Sequence, residues 1–392
     1  MSGLKITTVI GTRPNIMKIA PLDRAIEVHN SATGVPKIEH VIVHTGQHYN
    51  DRMSNIFFRD LDARPPDINL GIGSGSHAEQ VGRTMMALER AFAETGPDWV
   101  LVVGDVNATL AASLTAKKMG LRICHVEAGL RSMDMTMPEE VNRIVTDRIS
   151  DLLLTPDRLA GVNLTKEGVA AENIYFVGNI MIDTLETQRQ RASALSVEEI
   201  LRANIIDTSM NVAAIPSLEE YVVLTLHRPS NTDSREILGR LVAWLIEEGR
   251  KYAPVLWACH PRARKQLMNF GLWEDVQNAE RIFLLEPIGY TEMLRLNMGA
   301  KVMLTDSGGL QEECCVLGTP CITLRTTTER PITLRTNGGT SVIVGSDIEA
   351  LSQEFAGSFK RPRAPFRPEL WDGRTAERCV QAIIHRSAGS WI

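Results

Sequence analysis

Asp105, Glu127, Glu139 and His227 are the side chains through which this chain could move a proton. Each stands at the end of a short apolar run or at the start of the helical pattern after it. Carboxylates held near one another raise each other's pKa and can serve as acid or base. Taken singly, each could equally be a solvated surface group. A second set of residues suits an anion. Gly11-Thr12-Arg13-Pro14 follows the first apolar run and opens a helical pattern with Lys18 one turn in. Glycine permits close backbone approach and a helix N-terminus attracts negative charge. Asp306-Ser307-Gly308-Gly309 does the same later in the chain, where Ser307 can cap a helix and the two glycines expose N–H groups. Glu312 and Glu313 lie in the first two turns, and one of them could accept ribose hydroxyls, so this second turn suits a diphosphate–ribose group. A tight turn with solvated charges, or a plain cap, would use the same residues. Neither segment has Walker A or GxGxxG spacing.

His44, His48, His125, His227 and His260 could suggest a metal, but His44 and His48 flank Gly46 at a strand end and do not sit on a helix. No metal is expected. The cysteines at 124, 259, 314, 315, 321 and 379 form no C-x-x-C pair. Cys124, Cys259 and Cys321 sit in or at the start of apolar runs and read as buried thiols. Arg325 to Pro331, with three threonines and a glutamate between, reads as a loop closing over a ligand.

The elements that must position these residues alternate along the chain. Apolar runs at Ile6–Ile10, His40–His44, Trp99–Gly104, Arg122–Val126, Leu152–Thr155 and Ile174–Val177 are followed by Tyr221–Leu226, Val255–Cys259, Ile282–Leu285, Lys301–Thr305, Cys321–Leu324 and Val342–Val344. Continuous runs indicate strands covered on both faces, and helical patterns between them indicate βαβ units in parallel sheets. Open parallel sheets bind ligands beyond their carboxyl ends, and that is where the polar residues fall. The fold class is α/β, with two Rossmann-like domains facing across a cleft. The expected domains are 1–190, 191–365 carrying the nucleotide turn, and a last helical pattern within 366–392.

With 392 residues, there is length for two domains with sizeable cores. A balance of 42 basic against 47 acidic residues argues against a nucleic-acid binder. No run is long enough for a membrane span and the start does not read as a signal peptide, so a cytoplasmic location is expected.

Together the motifs resemble the non-hydrolysing UDP-N-acetylglucosamine 2-epimerases. They run in order as GTRPNIMKIAPL from Gly11, HTGQH from His44, GDVNATL from Gly104, HVEAGLRS from His125, MPEEVNRIVTDRIS from Met137, GNIMIDTL from Gly178, LTLHRPSN from Leu224, LTDSGGLQEE from Leu304 and TTTERP from Thr326. The resemblance implies the glycosyltransferase-B architecture, with the last helix within 366–392 crossing back to the first domain, and reversible conversion of UDP-GlcNAc to UDP-ManNAc. The route is elimination of UDP to a 2-acetamidoglucal and re-addition, with no cofactor. It implies Asp105, Glu127, Glu139 and His227 as the catalytic set. Arg13, Lys18, Ser307, Gly308 and Gly309 would handle the diphosphate and Glu313 the ribose. It also implies a homodimer, and Gln47 as part of a second, regulatory UDP-GlcNAc site. Asn15 stands where many relatives carry Glu, and Ser132–Met137 is shorter than in many bacterial members. Both weigh against that regulation. The alternatives are a C2 epimerase of a diacetamido-uronic UDP-sugar, a hydrolysing variant, a glycosyltransferase of the same fold and a non-catalytic sugar-nucleotide sensor.

Overall fold

Short runs dominated by β-branched and aliphatic residues form most of the strands, because both faces of each sheet are covered. The structure, a computed structural model, describes residues 3–46, 61–206 and 218–388, and all their side chains except that of Arg13. Gln47 and the loop expected at Asp207–Pro216 lie outside the described residues.

The first sheet contains β1 (Leu4–Ile10), β2 (Ile38–His44), β3 (Ile68–Asn69), β4 (Trp99–Val103), β5 (Arg122–Val126), β6 (Leu152–Thr155) and β7 (Ile174–Phe176). All neighbours are parallel, in the order β3-β2-β1-β4-β5-β6-β7. The second contains β8 (Val222–Thr225), β9 (Val255–Ala258), β10 (Ile282–Leu285), β11 (Val302–Thr305), β12 (Cys321–Thr323) and β13 (Ser341–Ile343), also parallel, in the order β10-β9-β8-β11-β12-β13. This is the expected α/β class. β3 is the addition; its two residues carry no periodicity to read.

The order in which the chain adds strands to each sheet reverses once, between β1 and β4 in the first and between β8 and β11 in the second. At such a switch point the flanking loops diverge and leave a crevice beyond the strand ends. Residues 11–18 and 104–105 leave the first crevice's strands, and residues 226–228 and 306–309 leave the second's. Within each unit the fold therefore brings the polar turns to the position where open sheets take ligands.

The chain divides into two compact units, Met1–Thr187 with Pro368–Ile392, and Gln188–Arg367. The returning segment is tied in by named bonds. The Trp371 indole donates to the Pro156 carbonyl at 2.9 Å. Asp183 accepts from the Thr375 and Ala376 N–H groups at 3.0 and 2.7 Å, capping the final helix Thr375–Ala388 from a distance. All six cysteines are buried thiols. Among the described residues no helix is long and apolar enough to cross a membrane.

Candidate functional site

The first unit gathers its polar residues at the β1/β4 switch point. Asn15 pins the turn after β1: its Oδ1 accepts from the Gly11 and Thr12 N–H groups at 3.1 and 3.0 Å and from Thr12 Oγ1 at 3.2 Å. Its amide donates to the Val103 carbonyl at 3.0 Å, fastening that turn to the end of β4. One turn further along the Arg13–Ser31 helix, Lys18 Nζ donates to Glu127 Oε2 in a buried ion pair. The sequence assigns Lys18 to the diphosphate and Glu127 to proton transfer; the structure joins them. Gly104 permits this. It has φ +69°, and a Cβ there would stand 3.1 Å from Lys18 Nζ.

Asp105 follows Gly104 and pairs with Arg143 Nη1. Arg143 also donates to Glu140, at 3.0 Å from Nε and 2.5 Å from Nη2. Glu140 in turn accepts the Ser132 and Met133 N–H groups at 3.0 and 2.9 Å. Burial works against the Glu140 charge, yet these donors hold its carboxyl below the usual range. Glu139, one position earlier in the first turn of the Pro138–Ile149 helix, is half-buried. Arg143 is absent from the residues singled out in the sequence. Its spacing, i+3 from Glu140 and i+4 from Glu139 on one helix, is the signal that could have found it.

In the second unit the β8/β11 switch point is organised by Asp306, which the sequence reading treats only as part of the glycine turn. Asp306 is fully buried and accepts the N–H of His227 at 3.1 Å, that of Arg228 at 2.9 Å and the Asn231 amide at 3.0 Å. Its other contact is His227 Nδ1 at 2.7 Å, on a ring that remains 38% exposed. Burial alone would raise the Asp306 carboxyl, but the His227 ring and these donors keep it below its ordinary value. His227 is thus aimed outward from a fixed anchor, with its Nε2 on the opposite edge of the ring.

Ser307 caps the Gly308–Leu317 helix, accepting from the Leu310 N–H at 3.5 Å. Gly308 lies against the Arg325–Pro331 segment: a Cβ there would meet Glu329 Oε1 at 2.7 Å and Arg330 Nη1 at 2.8 Å. That segment is anchored, in contrast to the closing loop expected from its polar density. Arg325 donates to Glu329 at 2.7 Å, Glu329 accepts from Arg330 at 2.5 Å, and Arg330 Nε lies 2.8 Å from Glu312. All four are buried. Alternating charge lets a polar segment pack inside. Gly309 is half-buried beside Gly308. Glu313 is enclosed, and burial pushes its carboxyl up to about 7 against the opposing pull of Tyr290 and Asn297.

A sequence model described as UDP-N-acetylglucosamine 2-epimerase matches residues 31–384. The chain belongs to that family. A UDP-N-acetylglucosamine 2-epimerase of Methanococcus maripaludis is 42% identical over 346 residues, 88% of this chain and 89% of the relative. A UDP-2,3-diacetamido-2,3-dideoxy-D-glucuronate 2-epimerase of Pseudomonas aeruginosa is 39% identical over 83% of this chain and 84% of its own. In three dimensions the chain is similar to the UDP-GlcNAc 2-epimerase of Methanocaldococcus jannaschii, solved in complex with UDP-GlcNAc and UDP. The TM-score is 0.87 at 37% identity, covering 97% of this chain and 100% of the other. This epimerase-family chain brings Lys18, Asp105 and Glu127 to one switch point and His227, Ser307, Gly308 and Gly309 to the other. The Arg13 side chain and Gln47 lie outside the described residues.

Proposed function

We propose that this chain interconverts UDP-GlcNAc and UDP-ManNAc. The observation that carries the reading is the delivery of Glu127, held by Lys18, and Asp105, held by Arg143, to the β1/β4 switch point. The C2 proton of the sugar is not acidic enough for simple abstraction and return. Elimination avoids that difficulty. A carboxylate takes the C2 proton, the C1–oxygen bond breaks, and its electron pair leaves on the UDP diphosphate. A C1=C2 double bond remains in 2-acetamidoglucal. Re-addition of UDP at C1, with a proton delivered to the other face of C2, gives the epimer. Electrons balance with no oxidant or cofactor. Glu127, Asp105 and Glu139 form the acid–base set with His227. Arg13, Lys18 and the Ser307-Gly308-Gly309 turn stabilise charge on the departing diphosphate, and Glu313 takes the ribose. The homodimer rests on the family likeness and is checked by light scattering.

Proton NMR of the purified protein with UDP-GlcNAc in D2O, without NAD or metal, tests the reading. Deuterium entering C2 as UDP-ManNAc accumulates is the expected result; free ManNAc with UDP would overturn it for the hydrolysing reaction. Glu127→Gln should retain the fold by circular dichroism while losing at least about 10²-fold in rate, the lower range for acid–base groups. The Pseudomonas relative favours one second reading, a diacetamido-uronic UDP-sugar as substrate. C2 exchange with that sugar nucleotide and none with UDP-GlcNAc would establish it.

A further inference from the structure

One layer beneath Asp105 and Glu127 lies a buried histidine whose two ring nitrogens both face acceptors. His125, on β5, is fully enclosed. Its Nε2 stands 2.9 Å from the Gly104 carbonyl oxygen and its Nδ1 2.6 Å from Asp147 Oδ1. A carbonyl oxygen can only accept. The remaining oxygen of Asp147 accepts the Gly129 N–H at 3.0 Å and Arg131 Nη1 at 2.7 Å. Burial disfavours a charge on Asp147, but His125 and Arg131 hold its carboxyl below the usual range. Arg131 continues outward in a fork to Glu167, at 2.8 and 2.7 Å.

A neutral imidazole has one donor and one acceptor. In this position it would leave one nitrogen lone pair pointing at an oxygen lone pair in a fully enclosed site. With protons on both nitrogens, each contact becomes a hydrogen bond. The row His125, Asp147, Arg131, Glu167 then alternates in sign and sums to zero.

The row spans the two turns that carry the proposed acid–base residues. The Gly104 carbonyl belongs to the peptide that leads into Asp105. Gly129 follows Glu127 by two positions, and Glu127 itself has φ +72°, a left-handed conformation that a non-glycine residue keeps only where its surroundings impose it. The Gly129 turn cannot relax: at φ +83° its Cβ position lies 2.4 Å from the Ala160 carbonyl oxygen. We propose that His125 is a positioning residue, a buried imidazolium that locks the Gly104-Asp105 and Glu127–Gly129 turns to each other through Asp147. This deepens the reading under which Asp105 and Glu127 handle the sugar proton.

The test uses the full-length protein with 15N-labelled histidine rings. Long-range proton–nitrogen spectra at neutral pH should show one ring with both nitrogens protonated, and that signal should vanish in His125→Gln. Displacing reacting groups by about 1 Å can cost about 10²-fold in rate. His125→Gln and Asp147→Asn should each lower kcat for C2 deuterium exchange by about that factor, with KM within about threefold, and the double variant should be no slower than the worse single one. A His125 ring protonated on a single nitrogen would overturn the proposal, as would a His125→Gln enzyme whose kcat stays within about threefold of wild type. Should the variants fail to fold, the wild-type ring spectrum still decides, with assignment from the buried ring's retained N–H signals. Absence of wild-type turnover on UDP-GlcNAc would remove the substrate reading while the ring spectrum still answers for His125.

Discussion

A carboxyl enclosed by protein either finds a cation or keeps its proton, and this chain uses both solutions. Buried Glu127 meets Lys18, and the part-exposed Asp105 meets Arg143. Glu313 faces Tyr290 and Asn297, neutral groups whose pull only partly opposes its burial, and burial carries it from 4.5 to about 7. A carboxyl whose folded value is raised holds its proton more tightly folded than unfolded. Between about pH 4.5 and about pH 7 the folded state therefore keeps a proton the unfolded chain has lost, and stability falls as pH rises through that window, levelling above it. A shift of this size corresponds to about 3 kcal/mol. From about pH 5 to about pH 8, the nucleotide-free protein should lose on the order of 2–3 kcal/mol more stability than Glu313→Gln, followed by urea denaturation. Parallel profiles for the two proteins would show that Glu313 does not hold a proton in the fold. The Arg13 and Lys18 side chains illustrate a different point at this scale. Their types announce an anion, but only the fold shows that Lys18 also pairs with Glu127.

At the scale of elements, the Gly308–Leu317 helix and the Arg325–Pro331 segment stabilise one another through buried charge. Glu329 lies between two guanidiniums, and Glu312 closes the row. Glu329→Gln leaves the row with one excess positive charge inside the protein. Breaking a buried pair in this way costs about 3–5 kcal/mol. Thermal unfolding of the variant should show that loss, and a change under about 1 kcal/mol would mean that water reaches the row. This segment was the least legible part of the second unit, because polar density looks the same whether it is solvated or internally paired. The strands were legible for the opposite reason: burial on both faces leaves a local, continuous apolar run, as in Trp99–Val103. The turns after the strands were equally readable, since chain continuity alone attaches Asp105 to β4 and Asp306 to β11. What could not be read was partnership. Lys18 and Glu127 are 109 positions apart, and nothing local in either motif names the other. His125 and Asp147 are likewise joined only by the packing of a strand against the helix that follows it.

On the scale of the whole molecule, the chain leaves its first unit near Thr187 and returns at Pro368. The return is bonded too specifically to be an ornamental tail. Trp371 is buried and bonded to Pro156, Arg378 donates to the Val177 carbonyl at 2.6 Å, and Asp183 caps the last helix from the far end of the unit's own sequence. Trp99 at the start of β4 donates to Ser387 at 2.8 Å, so the final helix also touches the strand that delivers Asp105. The first unit is therefore complete only after the second has been synthesised. Trp371→Ala removes a large enclosed ring and an indole donor, and such truncations cost about 3–5 kcal/mol. Hydrogen exchange should show the loss in β4 to β7 and the final helix, with protection in β8 to β13 retained. Equal loss in both sheets would mean that the units unfold as one, and no loss in β4 to β7 would mean that the returning segment rides on a unit already stable without it.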